Sequence, residues 1–269
     1  MQFDVFLQRA CPMLDLDWRK YRRRSARHRL LARMAELGLT GYEEYLDRLQ
    51  SDAGEASALA ERMAVTVSRF FREAALWANL QERVLPHLLA SSAGRCRLRV
   101  WSVGCAGGEE PYSLALLWHD RLQSRYPRRT LSILASDSDA TVLRRALQAV
   151  YRSSSLREVP DDLRQRWFAA WGDYWRLSPR VGRQVRFWRH NFMSDALPSG
   201  CDLVLARYLP FTYYRGTRRL DAARRLWRAL RPGGALMIGA KECLGAEERQ
   251  LFAPWPGATG IFRRRSPGA

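Results

Sequence analysis

The residues best suited to chemistry stand together at 100–113, VWSVGCAGGEEPYS. A short β-type run enters Gly104-Cys105-Ala106-Gly107-Gly108, and a helical pattern starts at once with Glu109 and Glu110. A strand that passes through glycines into a helix is where an open α/β sheet receives its ligand, outside the carboxyl ends of the strands. Glycine lets that ligand approach the backbone closely, which makes Gly104 and Gly108 candidate cradle positions. The charge of the loop selects among ligands. A dinucleotide sets its pyrophosphate on the helix N-terminus. Two carboxylates in that first turn suit the helix dipole but repel phosphate. A Walker-type loop would need Gly-Lys-Ser/Thr, which the sequence lacks. S-adenosylmethionine carries an ammonium and a sulfonium and no phosphate, so an acidic glycine loop favours that cofactor over NAD or ATP.

A second acidic signal follows in LASDSD, where Asp137 ends a second strand-like run. An acidic residue there accepts ribose hydroxyls. Asp139 is placed instead to cap the helix that follows.

These residues need a frame. From about residue 97 onward, β-rich runs (CRLRVWSV, TLSILASD, CDLVLARY, GGALMIGA) alternate with helical ones (EEPYSLALLWHDRL, DATVLRRALQAVY, 218–230). That alternation predicts a Rossmann-like α/β fold, a mostly parallel sheet covered on both faces. The aromatic, basic stretch 173–192 alternates in β fashion and predicts a small antiparallel β insertion, and GIFRRR near the end predicts an edge strand. Before the sheet, residues 3–75 read as helix, with Gly38 ending one stretch, Thr40 capping the next and Asp52-Ala-Gly marking a turn. The expected organisation is an N-terminal all-helical domain, 1–75, of about four helices, then a catalytic domain, 76–269.

Hydrophobic residues make up 47% of the 269, enough to fill cores of this size, so a disordered chain is excluded. The five cysteines (11, 96, 105, 201, 243) form no CxxC pair and the four histidines no HxxxH, so neither a disulfide framework nor a metal site is expected. No run reaches the length of a membrane span, and the first residues lack the pattern of a signal peptide, so a cytoplasmic protein without membrane insertion is expected. The net charge of +18 is almost all arginine, with lysine only at 20 and 241. Either a genome that substitutes arginine for lysine or an acidic protein partner accounts for it, with nucleic acid ranked below both. The helix-like stretch 18–33 holds Arg19, Arg22, Arg23, Arg24, Arg27, Arg29 and Arg33, as a solvated face or a docking face.

The glycine loop, SRFFRE at 68–73, LASDSDATVLRRALQAVYRSSSL and RRLWRALRPGGALMIGAKE, in that order, resemble the chemotaxis receptor methyltransferases of CheR type, which methylate receptor glutamates. The likeness runs from about residue 3 to 243. It implies that Glu110, with Glu109, holds the methionine ammonium and that Asp137 holds the ribose. It further implies that Asn191 reads the adenine edge with Phe192 beside it. Thr66 and Ser68 stand at the family's Asn and Thr, and Arg72 lies near the transferred methyl. Arg207 and Tyr208, which the likeness places among the cofactor-binding residues, fall in the family's C-R-N-V-x-I-Y-F, which here reads Ala206-Arg207-Tyr208-Leu209-Pro210-Phe211-Thr212-Tyr213. The family's tyrosine beside the methyl has become Thr212, so Tyr208 and Tyr213 are candidates to replace it. The family's G-H-S-E is Gly239-Ala240-Lys241-Glu242, and the insertion bearing Trp175 and Trp188 is shortened. These departures lie on the acceptor side.

A carboxylate acceptor is already ionised at neutral pH, so the chemistry demands alignment and exclusion of water more than a base. Arg72 is placed to steer such a carboxylate, or alternatively to make a salt bridge, and Phe70 and Phe71 read as core. The expected partner is an acidic protein acceptor, such as a chemoreceptor-like helix, or an anionic small molecule, met by a monomer. Three classes of function remain: a protein carboxyl methyltransferase, a methyltransferase for a small molecule, and a non-catalytic module that binds the cofactor.

Overall fold

The computed structural model describes residues 1–21, 23–63, 68–91 and 96–266. Contacts divide the chain into two compact units, Met1–Val65 with Tyr208–Ala222, and Thr66–Arg207 with Ala223–Ala269. The sequence expectation drew one boundary after residue 75. Contacts instead assign SRFFRE to the second unit and return the segment after Arg207 to the first.

The first unit contains the helices Phe3–Met13, Arg23–Glu36, Tyr42–Ser51 and Ala53–Arg62. They bury Phe6, Leu7, Leu30, Met34, Tyr45, Leu46 and Leu59, and Phe6 stacks on Tyr45 at 5.9 Å. The turn at Asp52 is a cap, since its Oδ1 accepts from Glu55 N at 3.0 Å. Thr40 does not cap: the third helix starts from Gly41 with no side-chain bond. The basic stretch 18–33 is not one helix. It opens with the short turn Trp18–Lys20, and the helix begins at Arg23 and buries Ala26, Leu30 and Met34. Arg33 is structural, joined to buried Glu55, which also accepts from Tyr45 Oη at 2.6 Å. Arg24 and Arg27 remain exposed.

The segment after Arg207 is bound to this unit by backbone and charge. Leu16 bridges Tyr214, Asp17 N donates to Tyr213 O at 2.8 Å, and Arg215 N donates to Asp15 O at 2.8 Å. Asp17 pairs with Arg215, and Asp15 accepts from Thr217 Oγ1 at 2.7 Å.

The second unit is built on β1 (Arg97–Val103), β2 (Thr130–Asp137), β6 (Val185–Arg189), β7 (Cys201–Leu205), β8 (Leu230–Met237), β9 (Phe252–Pro254) and β10 (Ile261–Arg264), in the order β6-β2-β1-β7-β8-β10-β9. The five strands β6 to β8 of that order are parallel, and β10 and β9 are antiparallel. Parallel strands are covered on both faces and read as continuous apolar runs. β7 is buried throughout, and Trp101 at the centre of β1 is fully buried. The chain leaves β1 towards β2 and β6, then returns on the other side to β7 and β8. The β1–β7 seam is therefore the topological switch point where such sheets bind ligands.

Two strand expectations are corrected. GIFRRR is not an edge strand: β10 lies between β8 and β9, and β9 takes the edge. Residues 173–192 do not form one insertion. Their first part, β5 (Tyr174–Leu177), joins β3 (Val150–Arg152) and β4 (Phe168–Trp171) in a three-stranded antiparallel sheet, while their second part is β6, parallel to β2. Trp175 and Trp188 thus stand in different sheets. Alternation alone gives the period of a strand but not its partner. No helix among the described residues is long and apolar enough to cross a membrane.

Candidate functional site

The glycine loop leaves β1 at the switch point in a backbone that few side chains tolerate. Gly104, Ala106 and Gly108 have φ of 65°, 49° and 85°. Gly108 has no room either: a Cβ there would stand 3.0 Å from Ala146 Cβ and 3.1 Å from Phe187 Cζ. Neighbouring strands fix the loop. Cys105 N donates to Ser136 O at 2.9 Å, Ala106 N to Asp137 Oδ2 at 2.9 Å, and Tyr151 Oη to Gly107 O at 2.7 Å.

Three buried carboxylates converge on this loop. Glu109, in the first turn of the helix Glu109–Leu117, has an Oε2 with no hydrogen-bond partner among the described residues, and burial pushes its carboxyl above the usual range. Glu110 accepts from Ser102 Oγ at 2.8 Å and from Arg207 Nη1 at 3.3 Å. Burial pushes it up, and Arg207 is the largest opposing influence. Asp137 Oδ1 accepts from Asp139 N at 3.0 Å, and Asp137 too is pushed up by burial against these backbone bonds. Asp139 caps the helix Ala140–Gln148 through Thr141 N at 2.7 Å. A carboxylate oxygen has two lone pairs, so each Asp137 oxygen keeps acceptor capacity beside its backbone bond.

Arg207, two residues beyond the end of β7, ties this group to SRFFRE. Its Nη2 donates to Glu73 Oε2 at 2.9 Å and to Arg72 O at 2.6 Å, and Trp77 Nε1 donates to the same carbonyl at 3.1 Å. Ser113 Oγ accepts from Phe71 N at 2.9 Å and donates to Glu109 O at 2.7 Å. The segment is not helical at Phe70–Phe71, because these bonds replace the helical ones. Phe71 and Glu73 take φ of 49° and 66°. Phe70 is fully buried, edge-on to Tyr151 and Phe168, and Phe71 packs on Trp77, so both are core as expected. Arg72 is half-buried and close enough to Glu110 to favour its ionised form.

The structure thus brings Arg72, Gly104, Gly108, Glu109, Glu110, Asp137 and Arg207 to one edge of the sheet. Asn191 and Phe192 follow β6, next to β2 in the sheet: Asn191 Oδ1 accepts from Met193 N at 2.9 Å, and Phe192 is buried against Trp101. Ser68 is half-buried in the same unit, and Thr66 lies outside the described residues. Tyr208 and Tyr213 belong to the helical unit. Tyr208 has a φ of 56°, and Tyr213 stacks on Tyr21 at 4.9 Å. Sequence reasoning missed Ser102, Ser113, Glu73 and Trp77. Ser113 and Glu73 were visible as the last letters of GEEPYS and SRFFRE. Ser102 and Trp77 carried no signal beyond a strand and a helix position.

The residues fit S-adenosylmethionine. The orphaned Glu109 oxygen and the loosely held Glu110 suit a cation, and the loop offers no lysine to a phosphate. Residues 66–261 match the family described as CheR methyltransferase, SAM binding domain, and residues 1–64 match CheR methyltransferase, all-alpha domain. The chain is 32% identical over 229 residues to a "Chemotaxis protein methyltransferase" of Listeria monocytogenes, covering 85% of each. It is 28% identical over 250 residues to "Chemotaxis protein methyltransferase Cher2" of Pseudomonas putida, covering 90% of this chain and 89% of that one. It is also 32% identical over 237 residues to the "Probable biofilm formation methyltransferase WspC" of Pseudomonas aeruginosa, covering 87% of this chain and 55% of that one. A likeness that spans both units, with the glycine loop and its carboxylates intact, settles the family: the chain belongs to the CheR methyltransferases, which use S-adenosylmethionine.

Proposed function

We propose that the chain transfers the methyl group to a side-chain carboxylate of an acidic protein acceptor, in the manner of a glutamate on a chemoreceptor helix. The observation that carries this reading is the placement of Arg72, a cation whose backbone is clamped by Arg207 and Trp77 beside the acidic loop. A cation next to a sulfonium is unfavourable by Coulomb's law unless an anion lies between them. An acceptor carboxylate is that anion, and a neutral amine is not.

S-adenosylmethionine supplies an electrophilic methyl on its sulfonium. The chain's residues do the rest. Glu110 with Glu109 would hold the ammonium, Asp137 the ribose hydroxyls, and Asn191 with Phe192 the adenine edge. The backbone of Gly104 and Gly108 would let the cofactor approach closely. Arg72 orients the incoming carboxylate with its planar fork. No group need remove a proton, because the acceptor is ionised at neutral pH. Orientation and exclusion of water supply the rate. The exposed Arg24 and Arg27 on the helical unit suit an acidic acceptor, and relatives named as chemotaxis protein methyltransferases support a receptor as its source.

The test is transfer of radioactive methyl from S-adenosylmethionine to a lysate of the cell that makes this protein. Label on protein that is released by mild base is the expected result. Base-stable label on a small molecule would shift the reading to the acceptor-side departures, Tyr208 and Thr212. Binding without any transfer would make the chain a cofactor-binding module.

A further inference from the structure

The cofactor edge contains one carboxylate that the reading above leaves without a role. Glu73 does not belong to the glycine loop. Its side chain is 19% exposed, against 4% for Arg207, and its backbone is held at a φ of 66°, a conformation that a glutamate adopts only when its surroundings impose it. Contacts among the described residues hold it. Glu73 N donates to Glu158 Oε2 at 3.0 Å, while Glu73 Oε2 accepts from Arg207 Nη2 at 2.9 Å and from Ala240 N, in the segment after β8, at 3.0 Å.

Arg207 therefore faces two carboxylates and does not treat them alike. Its Nη2 is held between Glu73 and the Arg72 carbonyl at 2.9 and 2.6 Å. Its Nη1 reaches Glu110 at only 3.3 Å. A charge-assisted bond of full strength runs 2.7–2.9 Å, and an arginine facing one carboxylate makes two of them in parallel. Glu110 receives neither from Arg207, and its short bond comes from the neutral Ser102 hydroxyl.

We infer that Glu73 is a positioning residue: it anchors Arg207 so that the guanidinium cannot close bidentately on Glu110, and Glu110 keeps its charge for the ammonium of the cofactor. Glu73 touches neither cofactor nor acceptor in this role. With Glu73 gone, Arg207 turns to Glu110, the pair becomes self-neutralised, and the ammonium loses its partner. The inference rests on Glu110 as the ammonium site.

Calorimetric titration of the full chain with S-adenosylhomocysteine and with methylthioadenosine tests it. Both compounds have the adenine and ribose, but only the first has the amino-acid group, with its ammonium and carboxylate. Glu73→Gln is expected to weaken S-adenosylhomocysteine binding by about tenfold, the lower end for a bond to a charged group, with methylthioadenosine binding unchanged. Because Glu73 acts through Arg207, Glu73→Gln made on top of Arg207→Gln is expected to add no further loss. Equal weakening of both ligands would mean that Glu73 only supports the fold and would overturn the inference, as would full affinity for both. If Glu73→Gln does not fold, Glu73→Asp carries the test, with a smaller loss again confined to S-adenosylhomocysteine and the same overturning outcomes. Glu110→Gln separates the two readings. If it spares S-adenosylhomocysteine binding, the ammonium site itself is wrong. If it abolishes selectivity for S-adenosylhomocysteine and Glu73→Gln does not, only the role of Glu73 falls.

Discussion

The two acidic regions of this molecule treat their carboxylates in opposite ways. In the helical unit, Asp15 and Asp17 are engaged by donors from a distant segment of the chain. Asp15 accepts from Thr217 Oγ1 and Arg218 N, and Asp17 accepts from Arg19 N and pairs with Arg215. At the glycine loop, Glu109 keeps an oxygen without a partner among the described residues and Glu110 holds its arginine at 3.3 Å. Carboxylates engaged in this way clamp one segment to another. Under-satisfied buried ones are a destabilising feature that a protein keeps where a ligand completes them. The sequence departs from the family pattern at Tyr208 and Thr212, which lie on the segment clamped in the helical unit.

The largest expected effect breaks the comparison at Arg72, beside the acidic loop. Arg72→Ala should lower turnover by about 100-fold, the scale of a lost transition-state contact, with S-adenosylhomocysteine affinity nearly intact. Arg72→Lys should restore little, since lysine lacks the fork. Steady-state kinetics beside calorimetry check this, and full activity in Arg72→Ala would favour a small-molecule acceptor.

Next, Glu110→Gln and Asp137→Ala should each weaken S-adenosylhomocysteine binding by ~1–3 kcal/mol, the range for a lost charge-assisted bond. Neither should confer affinity for NAD. Unchanged binding in both variants would remove them from the site.

Glu109 sharpens the contrast in stability. Its carboxyl is pushed up by burial in the folded chain, so its ionised form opposes folding. Relative to the unfolded chain, it favours the fold below the usual carboxylate range and disfavours it as pH rises through the raised value. Glu109→Gln should therefore raise the melting temperature at neutral pH by the equivalent of about 1 kcal/mol, while weakening cofactor binding. The gain should vanish as pH falls to 4. A melting series without cofactor reads it, and a loss of stability at neutral pH would mean that the carboxylate is satisfied.

The smallest effect lies at Tyr208. Tyr208 occupies a left-handed conformation with a φ of 56°, which asparagine tolerates better than a bulky aromatic residue. Tyr208→Asn should stabilise the chain by about 1 kcal/mol, and thermal melting decides the sign.

The sequence by itself determined the elements whose period is local. β2 runs from Thr130 to Asp137 as its pattern read, Asp139 caps the next helix, and Glu109 and Glu110 form the acidic first turn of the helix after the glycine loop. Those features depend on neighbours within a few residues. Only the tertiary structure decided which strands pair, because a period of two fixes faces and not partners. It therefore split 173–192 between two sheets and placed β10 inside the larger one. The same limit applied to the site. Glu110 and Asp137 were legible as charges near glycines, but Glu110 and Arg207 are 97 positions apart and Glu73 and Arg207 are 134. That an arginine after β7 would be shared between a loop glutamate and a glutamate beside Arg72 is settled by the parallel crossover that sets β7 against β1, and no spacing in the sequence encodes that meeting.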